Sequence, residues 1–270
     1  ANAVRSTSNT TGRYPEYGKV WEDGSLDVVA VFGKFQEGST LSTDYGIAAY
    51  DAFLNAIGAE LAGDHLVTTP PSLPDAPGAS APDVEFSATL VGGRRVKVNA
   101  LLVDDVSNAS DAFYARYEAL STRADLIAYN GHAGLGQNVR ALARKGSFVP
   151  GQYLIVFMNG CDTFAYVDGS LASLRAQLNL DDPSGTKYMD SVTNSMPSFF
   201  SSMPGASMAL IRGLLQYAKP LTYEQIFGGI DPSQVVLVTG EEDNAYRPST
   251  VGNRTALEIG ISKAARLVLP

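Results

Sequence analysis

Four short apolar runs stand out along the chain. They are residues 26–32 (LDVVAVF), 125–129 (DLIAY), 153–158 (YLIVFM) and 235–239 (VVLVT). Continuous apolar runs of this length are typical of strands that are buried on both faces of a sheet. We therefore expect four core strands, with a weaker strand at residues 189–193 (MDSVT).

Amphipathic stretches separate these runs and predict helices. In the clearest of them, apolar residues recur at helical spacing from Tyr45 onward, with Thr43 or Asp44 as the N-cap and Gly63 as the end. Residues 68–83 are rich in proline and are predicted to form a surface loop. Further helices are predicted at residues 110–123, 170–178, 203–217 and 222–227.

A hairpin is predicted where residues 84–90 and 96–103 flank a Gly-Gly pair. The second arm loses its polar–apolar alternation, so we expect it to enter the core sheet. The succession of strands and helices predicts an α/β protein, namely a three-layer α/β/α sandwich with a mostly parallel central sheet and an added β-hairpin. We expect residues 1–25 to form an extended N-terminal segment and residues 26–270 to form a single domain.

The composition is that of a globular protein long enough to bury a large core: 270 residues, of which 45% are hydrophobic and 18% charged. Acidic residues outnumber basic ones by 28 to 20, which gives a formal net charge of −8. Because phosphate backbones attract basic surfaces, this balance argues against nucleic-acid binding. The apolar runs are too short for a membrane-spanning helix, so we expect no membrane insertion.

Few side chains suited to metal binding are present. A single cysteine excludes an intrachain disulfide and any multi-cysteine metal site, and two histidines leave few ways to build a histidine-rich one. We therefore expect no metal and no cofactor. The first residues are small and polar (ANAVRSTSNTTG), without a charged-then-apolar leader, which favours a secreted or periplasmic protein.

One histidine and the single cysteine each follow a predicted core strand. His132 lies in the segment NGHAGLG after the 125–129 strand, and Cys161 lies in NGCDT after the 153–158 strand. Ligands of open α/β sheets bind at the carboxyl ends of the strands, and neighbouring strands lie about 4.8 Å apart. We therefore expect the two side chains to face one cleft.

A thiol beside an imidazole forms a nucleophilic dyad. The imidazolium stabilises the thiolate, the thiolate attacks, and His132 then protonates the leaving amine. Backbone N–H groups near Ala133 and Cys161 would hold the developing oxyanion. A second interpretation stays open, in which Cys161 is an unreactive thiol packed as a small apolar side chain and the histidine is structural.

The pattern x-Gly-His-x-Gly at residues 130–134, followed by Asn-x-Cys-acid-Thr at residues 159–163, resembles the caspase-fold cysteine peptidases of clan CD. That group includes caspases, legumains, clostripain, gingipains and separase-like CHAT domains. The resemblance extends in element order over residues 26–240. It implies a caspase-like fold, a catalytic pair of Cys161 and His132, and cleavage of protein or peptide substrates through a thioester acyl-enzyme.

The sequence departs from that family at two positions. Ala133 follows the histidine where glycine is common, and Asn159 stands where several basic-specific members carry an acid that lines the specificity pocket. A strong preference for arginine or lysine is therefore not supported from that position. Asp162 remains a candidate pocket or structural acid. Three further pocket candidates follow from the order of the family's fifth strand: Thr193, Asn194 and Ser195.

Other residues are weaker candidates. Asp104 and Asp105 follow the second arm of the hairpin and would orient His132 or, more simply, cap the next helix. Residues 241–243 (EED) could bind calcium or a basic substrate, although a solvated loop is the simpler interpretation. His65 is interpreted as a surface or capping residue.

Two functions from different classes therefore remain. The first is a cysteine endopeptidase that uses a His/Cys dyad. The second is a catalytically silent caspase-like module that binds a protein partner. A flavodoxin-like binder of small molecules would need phosphate-cradling turns, and none is visible in the sequence. The oligomeric state is left open by the sequence.

Overall fold

The computed structural model describes residues 12–248. Residues 1–11 and 249–270, which belong to the expected N-terminal segment and to the expected domain, lie outside this range. The strands of the described part are β1 (Ser25–Gly33), β2 (Val67–Thr69), β3 (Asp83–Thr89), β4 (Arg95–Val103), β5 (Leu126–Asn130), β6 (Leu154–Asn159), β7 (Met189–Asn194) and β8 (Val236–Thr239). Its α-helices are α1 (Tyr17–Val20), α2 (Tyr45–Leu61), α3 (Asp111–Ser121), α4 (Gln137–Lys145), α5 (Ser170–Leu178), α6 (Met203–Leu215) and α7 (Tyr223–Phe227).

The strands form one mixed sheet in the order β2-β3-β4-β1-β5-β6-β7-β8. Strands β4, β1, β5, β6 and β7 run parallel, whereas β2, β3 and β8 pair antiparallel with their neighbours. In the sheet, β1 lies between β4 and β5, which follow it along the chain in that order. The direction of strand addition therefore reverses between β1 and β5, and open α/β sheets bind ligands beyond the carboxyl ends of the strands at such a reversal.

Helices cover both faces of this sheet. The side chains of β1 alternate between two cores, with Val28, Ala30 and Phe32 on one side and Val29 and Val31 on the other. The first core includes residues of α2 and α6, and the second includes residues of α3 and α4. Because both faces are covered, the central strands are apolar throughout, which is why they stand out as continuous runs in the sequence. The expected α/β class with a mostly parallel sheet is confirmed.

The expected hairpin is also present. Strand β3 pairs antiparallel with β4, and β4 then runs parallel to β1, so the second arm does enter the central sheet. Gly92 and Gly93 both have positive φ, at 92° and 83°, as a tight hairpin turn requires. Asp44 is the N-cap of α2, and its carboxylate accepts from the N–H groups of Gly46 and Ile47.

Three elements differ from the expectation. Helix α4 is present although the sequence pattern did not predict it. Most of its residues are polar, and few of its side chains, chiefly Val139 and Leu142, reach the core. Strand β2 lies at the start of the expected 68–83 loop and is held by backbone pairing with β3. Strand β8, expected in the core, is the antiparallel edge of the sheet. Leu237 within it and Val235 just before it are exposed.

The described part of the N-terminal segment is not extended throughout. It contains α1 and packs against α6, with Tyr17 and Trp21 buried. The Tyr17 hydroxyl donates to the carbonyl of Gly213 at 2.8 Å, and the Trp21 indole N–H donates to the carbonyl of Leu214 at 3.1 Å. This segment therefore belongs to the same hydrophobic core as the helix that it touches.

A buried carboxylate ties strands β6 and β7 to the chain ends of the described part. Asp190 is fully buried, and the hydroxyls of Tyr153 and Tyr223 donate to its Oδ2. The Asn244 amide also donates to this oxygen at 2.7 Å, and to the carbonyl of Tyr14 at 2.9 Å. Burial raises the pKa of Asp190 to about 6, although its hydrogen bonds oppose that shift.

This shift predicts a pH-dependent difference between the wild type and the Asp190→Asn variant. A carboxyl whose pKa is raised in the folded state contributes stability at low pH, and the contribution is lost as the pH rises through about 6. The free energy of unfolding of the wild type should therefore fall by roughly 1–2 kcal/mol relative to the variant between pH 5 and pH 8. Urea denaturation at both pH values measures it.

The matched control for that experiment is Asp75→Asn, which changes an exposed carboxylate. Its difference from the wild type should stay constant across the same pH range. A pH-independent difference for Asp190→Asn would show that the buried carboxylate does not hold a proton more tightly in the folded protein.

Candidate active site

The turns that follow β5 and β6 lie in direct contact, and glycine makes this possible. A Cβ atom at Gly160 would lie 2.6 Å from the carbonyl oxygen of Gly131 and 3.4 Å from the amide nitrogen of Ala133. A Cβ atom at Gly131 would lie 3.3 Å from the Cα of Gly33 at the end of β1. The backbones of the two turns therefore lie in contact at the residues that directly precede His132 and Cys161.

Three asparagines close the ends of three neighbouring strands. Asn130, Asn159 and Asn194 are the last residues of β5, β6 and β7, and all three are fully buried. The Asn159 amide donates to Oδ1 of Asn130 at 2.9 Å, and the Asn194 amide donates to Oδ1 of Asn159 at 2.8 Å. Two serines add donors, Ser198 to Asn159 at 3.1 Å and Ser207 to Asn130 at 2.8 Å. We call this set the asparagine ladder.

The ladder is continued by the residues of the cysteine turn. The Thr163 hydroxyl donates to the carbonyl of Met158 at 2.6 Å and accepts from the N–H of Asn194 at 3.0 Å. Asp162, between the thiol and this threonine, has a φ of 51°, a left-handed conformation that is uncommon for a residue with a side chain. Its N–H donates to the carbonyl of Met196 at 3.3 Å. Cys161 is half-buried at the head of this turn.

The imidazole of His132 is exposed and has one fixed nitrogen. Nε2 lies 3.2 Å from the carbonyl oxygen of Phe35. A carbonyl only accepts, so this contact assigns the proton to Nε2 and leaves Nδ1 as the nitrogen available for chemistry. The carbonyl of His132 accepts from the Tyr129 hydroxyl at 2.7 Å and from the Asn138 amide at 2.9 Å, which fixes the backbone beneath the ring.

Two phenylalanine rings, which also contact each other, pack against the imidazole. The ring centroids of Phe35 and Phe200 lie 5.2 Å and 5.0 Å from that of His132, and 5.6 Å from each other. Tyr45 extends the group, with its centroid 5.1 Å from that of Phe35. We call Phe35, Tyr45 and Phe200 the aromatic cluster.

Residues 196–200, between β7 and α6, touch both candidate catalytic residues. The Cys161 thiol donates to the carbonyl of Ser198 at 3.5 Å, while the ring of Phe200 packs on His132. The structure therefore places the two side chains against one short segment, at the carboxyl edge of the sheet that the sequence predicted.

The loop after β1 is fixed by Asp44. Its carboxylate accepts from the N–H groups of Phe35 and Gln36, both at 2.9 Å, in addition to the two N–H groups of the helix that it caps. Partial burial opposes ionisation, but these four backbone hydrogen bonds prevail and lower the pKa of Asp44. The carboxylate of Asp44 therefore fixes the backbone of Phe35, whose carbonyl contacts His132.

The predicted site residues other than His132 differ in exposure. Cys161, Asp162 and Ser195 are partly exposed. Four are buried: Ala133, which lies beside the turn of Gly160, and Asn159, Thr193 and Asn194. The side chains of Asn159 and Asn194 are hydrogen-bonded within the asparagine ladder and are not exposed to a cleft.

The acids near the strand ends have other partners. Asp104 pairs with Lys34 at 2.7 Å, and Asp105 accepts from the N–H of Ser107 at 2.7 Å. The following helix, α3, is capped by Ser110, so the expectation that one of these two acids caps it is wrong. Neither carboxylate contacts the imidazole of His132.

Sequence reasoning missed the residues that surround the dyad. Phe35 lies in the loop after β1, whereas Ser198 and Phe200 lie in the loop after β7, far along the sequence, and no local pattern links the two loops. A signal did exist for the ladder, because three of the predicted strands are followed or ended by asparagine: LIAYN, LIVFMN and MDSVTN. Asparagine at one terminal register of three adjacent strands indicates a shared hydrogen-bonded layer.

No protein-family model, curated protein or solved structure matches this chain. Within residues 12–248, no group of three or more histidine, cysteine, aspartate or glutamate side chains is arranged to hold a metal ion. Over the same range, no helix has both the length and the apolar character that crossing a bilayer requires.

The ladder predicts that Asn159→Asp destabilises the protein in a pH-dependent way. The change removes the donor to Asn130 and to the carbonyl of Met203, and places a buried carboxylate against these oxygens. We expect a loss of roughly 3–5 kcal/mol at pH 8. Burial raises the pKa of such a carboxyl, so protonation should reduce the loss at pH 5.

Urea denaturation at the two pH values measures this effect. Asn108→Asp, the same change at an exposed asparagine, is the control and should alter stability by less than about 0.5 kcal/mol. A loss below about 1 kcal/mol for Asn159→Asp, equal at both pH values, would contradict the role of the ladder.

Proposed function

We propose that this protein is a cysteine peptidase of the caspase-like type, in which Cys161 and His132 form the catalytic dyad. The observation that supports the proposal is the contact between the two strand-end turns at Gly131 and Gly160. It brings the single cysteine and an exposed histidine to one edge of the sheet, against the same 196–200 segment.

In the proposed reaction, the thiol proton passes to Nδ1 of His132 and the thiolate of Cys161 attacks the scissile carbonyl carbon. The tetrahedral intermediate collapses to a thioester, and His132 gives the proton to the departing amine. Water then attacks the thioester with His132 as the base, which releases the acid and restores the thiol. The fixed Nε2 contact with Phe35 keeps the ring in one orientation through both steps.

Backbone N–H groups would stabilise the oxyanion of both tetrahedral intermediates. The candidates are the N–H of Cys161 and that of Ala133, whose nitrogen lies close to the Gly160 turn. Donors held by the backbone need no reorganisation during the reaction, and losing one such donor typically costs about 10²–10³ in turnover. Alanine in place of glycine at position 133 keeps its N–H.

The thiol must leave one partner before it reacts. Cys161 donates to the carbonyl of Ser198 at 3.5 Å, a weak contact that is lost when the thiol proton passes to Nδ1 of His132. The same contact favours the second candidate function, a silent module in which the thiol only packs and the surface binds a protein partner. The reactivity of the thiol separates the two.

The dyad predicts fast alkylation of Cys161 near neutral pH. A thiolate stabilised by an imidazolium reacts with iodoacetamide well below pH 8, whereas a packed thiol reacts only after unfolding. We expect the folded protein to be labelled at pH 6.5 at least about 10-fold faster than the urea-unfolded chain. Mass spectrometry of the intact protein measures the rates.

Histidine variants provide a matched comparison, because the chain has only two. His132→Ala should lower the labelling rate at pH 6.5 about 10-fold or more and should lower peptide hydrolysis by about 10²–10⁴. His65→Ala should change neither, since His65 is exposed at another part of the surface. Cys161→Ala should abolish both labelling and hydrolysis. Equal rates for the two histidine variants would rule out the dyad.

A further inference from the structure

Several exposed apolar side chains of the described residues lie near the proposed dyad. They occupy the loops that follow β1, β5, β6 and β7 and the first turn of α2, all at the carboxyl edge of the sheet. They include Phe35, Tyr45, Leu135, Phe164, Met196 and Phe199, whereas others, such as Val91 and Leu180, lie singly elsewhere. Exposed apolar surface gathered at one place, rather than scattered singly, marks a binding surface.

The aromatic cluster is continuous with the reacting group itself. Phe35 and Phe200 contact the imidazole of His132, and Tyr45, 63% exposed, lies next to Phe35 on the open side. A side chain bound against these rings would therefore lie beside the imidazole of His132. A permanent partner there would also cover the imidazole, so the occupant that fits the proposed chemistry is one that arrives and leaves, namely a substrate.

Most charged groups around the aromatic cluster already have hydrogen-bond or ion-pair partners. Asp44 accepts four backbone hydrogen bonds, and Lys34 is paired with Asp104. At the position where an acid would select basic side chains, Asn159 is buried in the ladder. Glu37 is exposed in the loop after β1, and Asp162, partly exposed, follows the thiol directly in the sequence.

We propose that the site selects peptide segments with an aromatic or large aliphatic side chain on the acyl side of the scissile bond, and that the aromatic cluster binds this side chain. The inference rests on the proposed function and adds the substrate class to it. Its main rival is selection of a basic side chain by Asp162.

Peptidyl chloromethyl ketones that differ in one residue test the proposal without a known substrate. The Cys161 thiolate displaces chloride from the methylene carbon and forms a thioether, so the labelling rate reports how well the peptide is held. We expect reagents with phenylalanine or leucine beside the ketone to label Cys161 roughly 10- to 100-fold faster than those with alanine, lysine or aspartate. Mass spectrometry of the protein measures each rate.

Two variants locate the selectivity. Tyr45→Ala should lower the phenylalanine-to-alanine ratio several-fold. The iodoacetamide rate of the same variant is measured beside it, because iodoacetamide carries no side chain and reports on the thiol alone. Val91→Ala removes an apolar side chain that is 89% exposed in the hairpin turn, and should change neither quantity. A fast iodoacetamide rate with no preference among the peptides would overturn this inference and leave the dyad standing, whereas a slow iodoacetamide rate would overturn the dyad.

Two further results would overturn the inference. The first is a lysine reagent that labels fastest and loses its advantage in Asp162→Asn, which would assign selectivity to the acid. The second is a protein dimer, measured by light scattering at the labelling concentration, that Phe199→Ser dissociates while the peptides show no selectivity. That result would assign the apolar rim to a second copy of the chain.

Discussion

The contact between the turns after β5 and β6 is the constraint on which the rest of the site depends. Parallel strands bring their carboxyl ends to one edge, but the backbones beyond β5 and β6 meet only because Gly160 has no side chain, and Gly131 in turn lets the β5 turn approach Gly33 of β1. Beneath this contact, Asn130 and Asn159 are joined by a buried amide hydrogen bond. Such a bond is costly to leave unmade, so the strand ends are held in one register.

The other parts of the site act through this arrangement. The loop after β1 supplies the carbonyl of Phe35 to His132, and the charge of Asp44 holds that loop in place. The 196–200 segment reaches the thiol through Ser198 and the imidazole through Phe200, whose ring also contacts that of Phe35. The site therefore combines a rigid floor of hydrogen-bonded strand ends with a rim of loops, and the rim carries the apolar side chains.

The sequence predicts those features that a local pattern encodes. Strands β1, β5 and β6 are buried on both faces, so their apolar runs are unambiguous, and the carboxyl ends of β5 and β6 locate His132 and Cys161. Helix α4 escapes prediction because it has few apolar residues. The edge position of β8 escapes prediction because its run is apolar throughout, although only Val236 and Val238 pack against the core and Leu237 is exposed. The contacts of His132 with Phe35 and Phe200 depend on three separate loops, and only the folded chain brings these together.

The central claim is that Cys161 carries the acyl group, and trapping that intermediate tests it most directly. An activated ester of an N-acylated phenylalanine is mixed with the protein, quenched in acid within the first turnovers, and digested for mass spectrometry. The account predicts an acyl mass on the peptide that contains Cys161, removed by neutral hydroxylamine as a thioester is, and absent from Cys161→Ala. Hydrolysis of the ester at the wild-type rate by Cys161→Ala, or no acyl mass on Cys161 in the wild type, would contradict it.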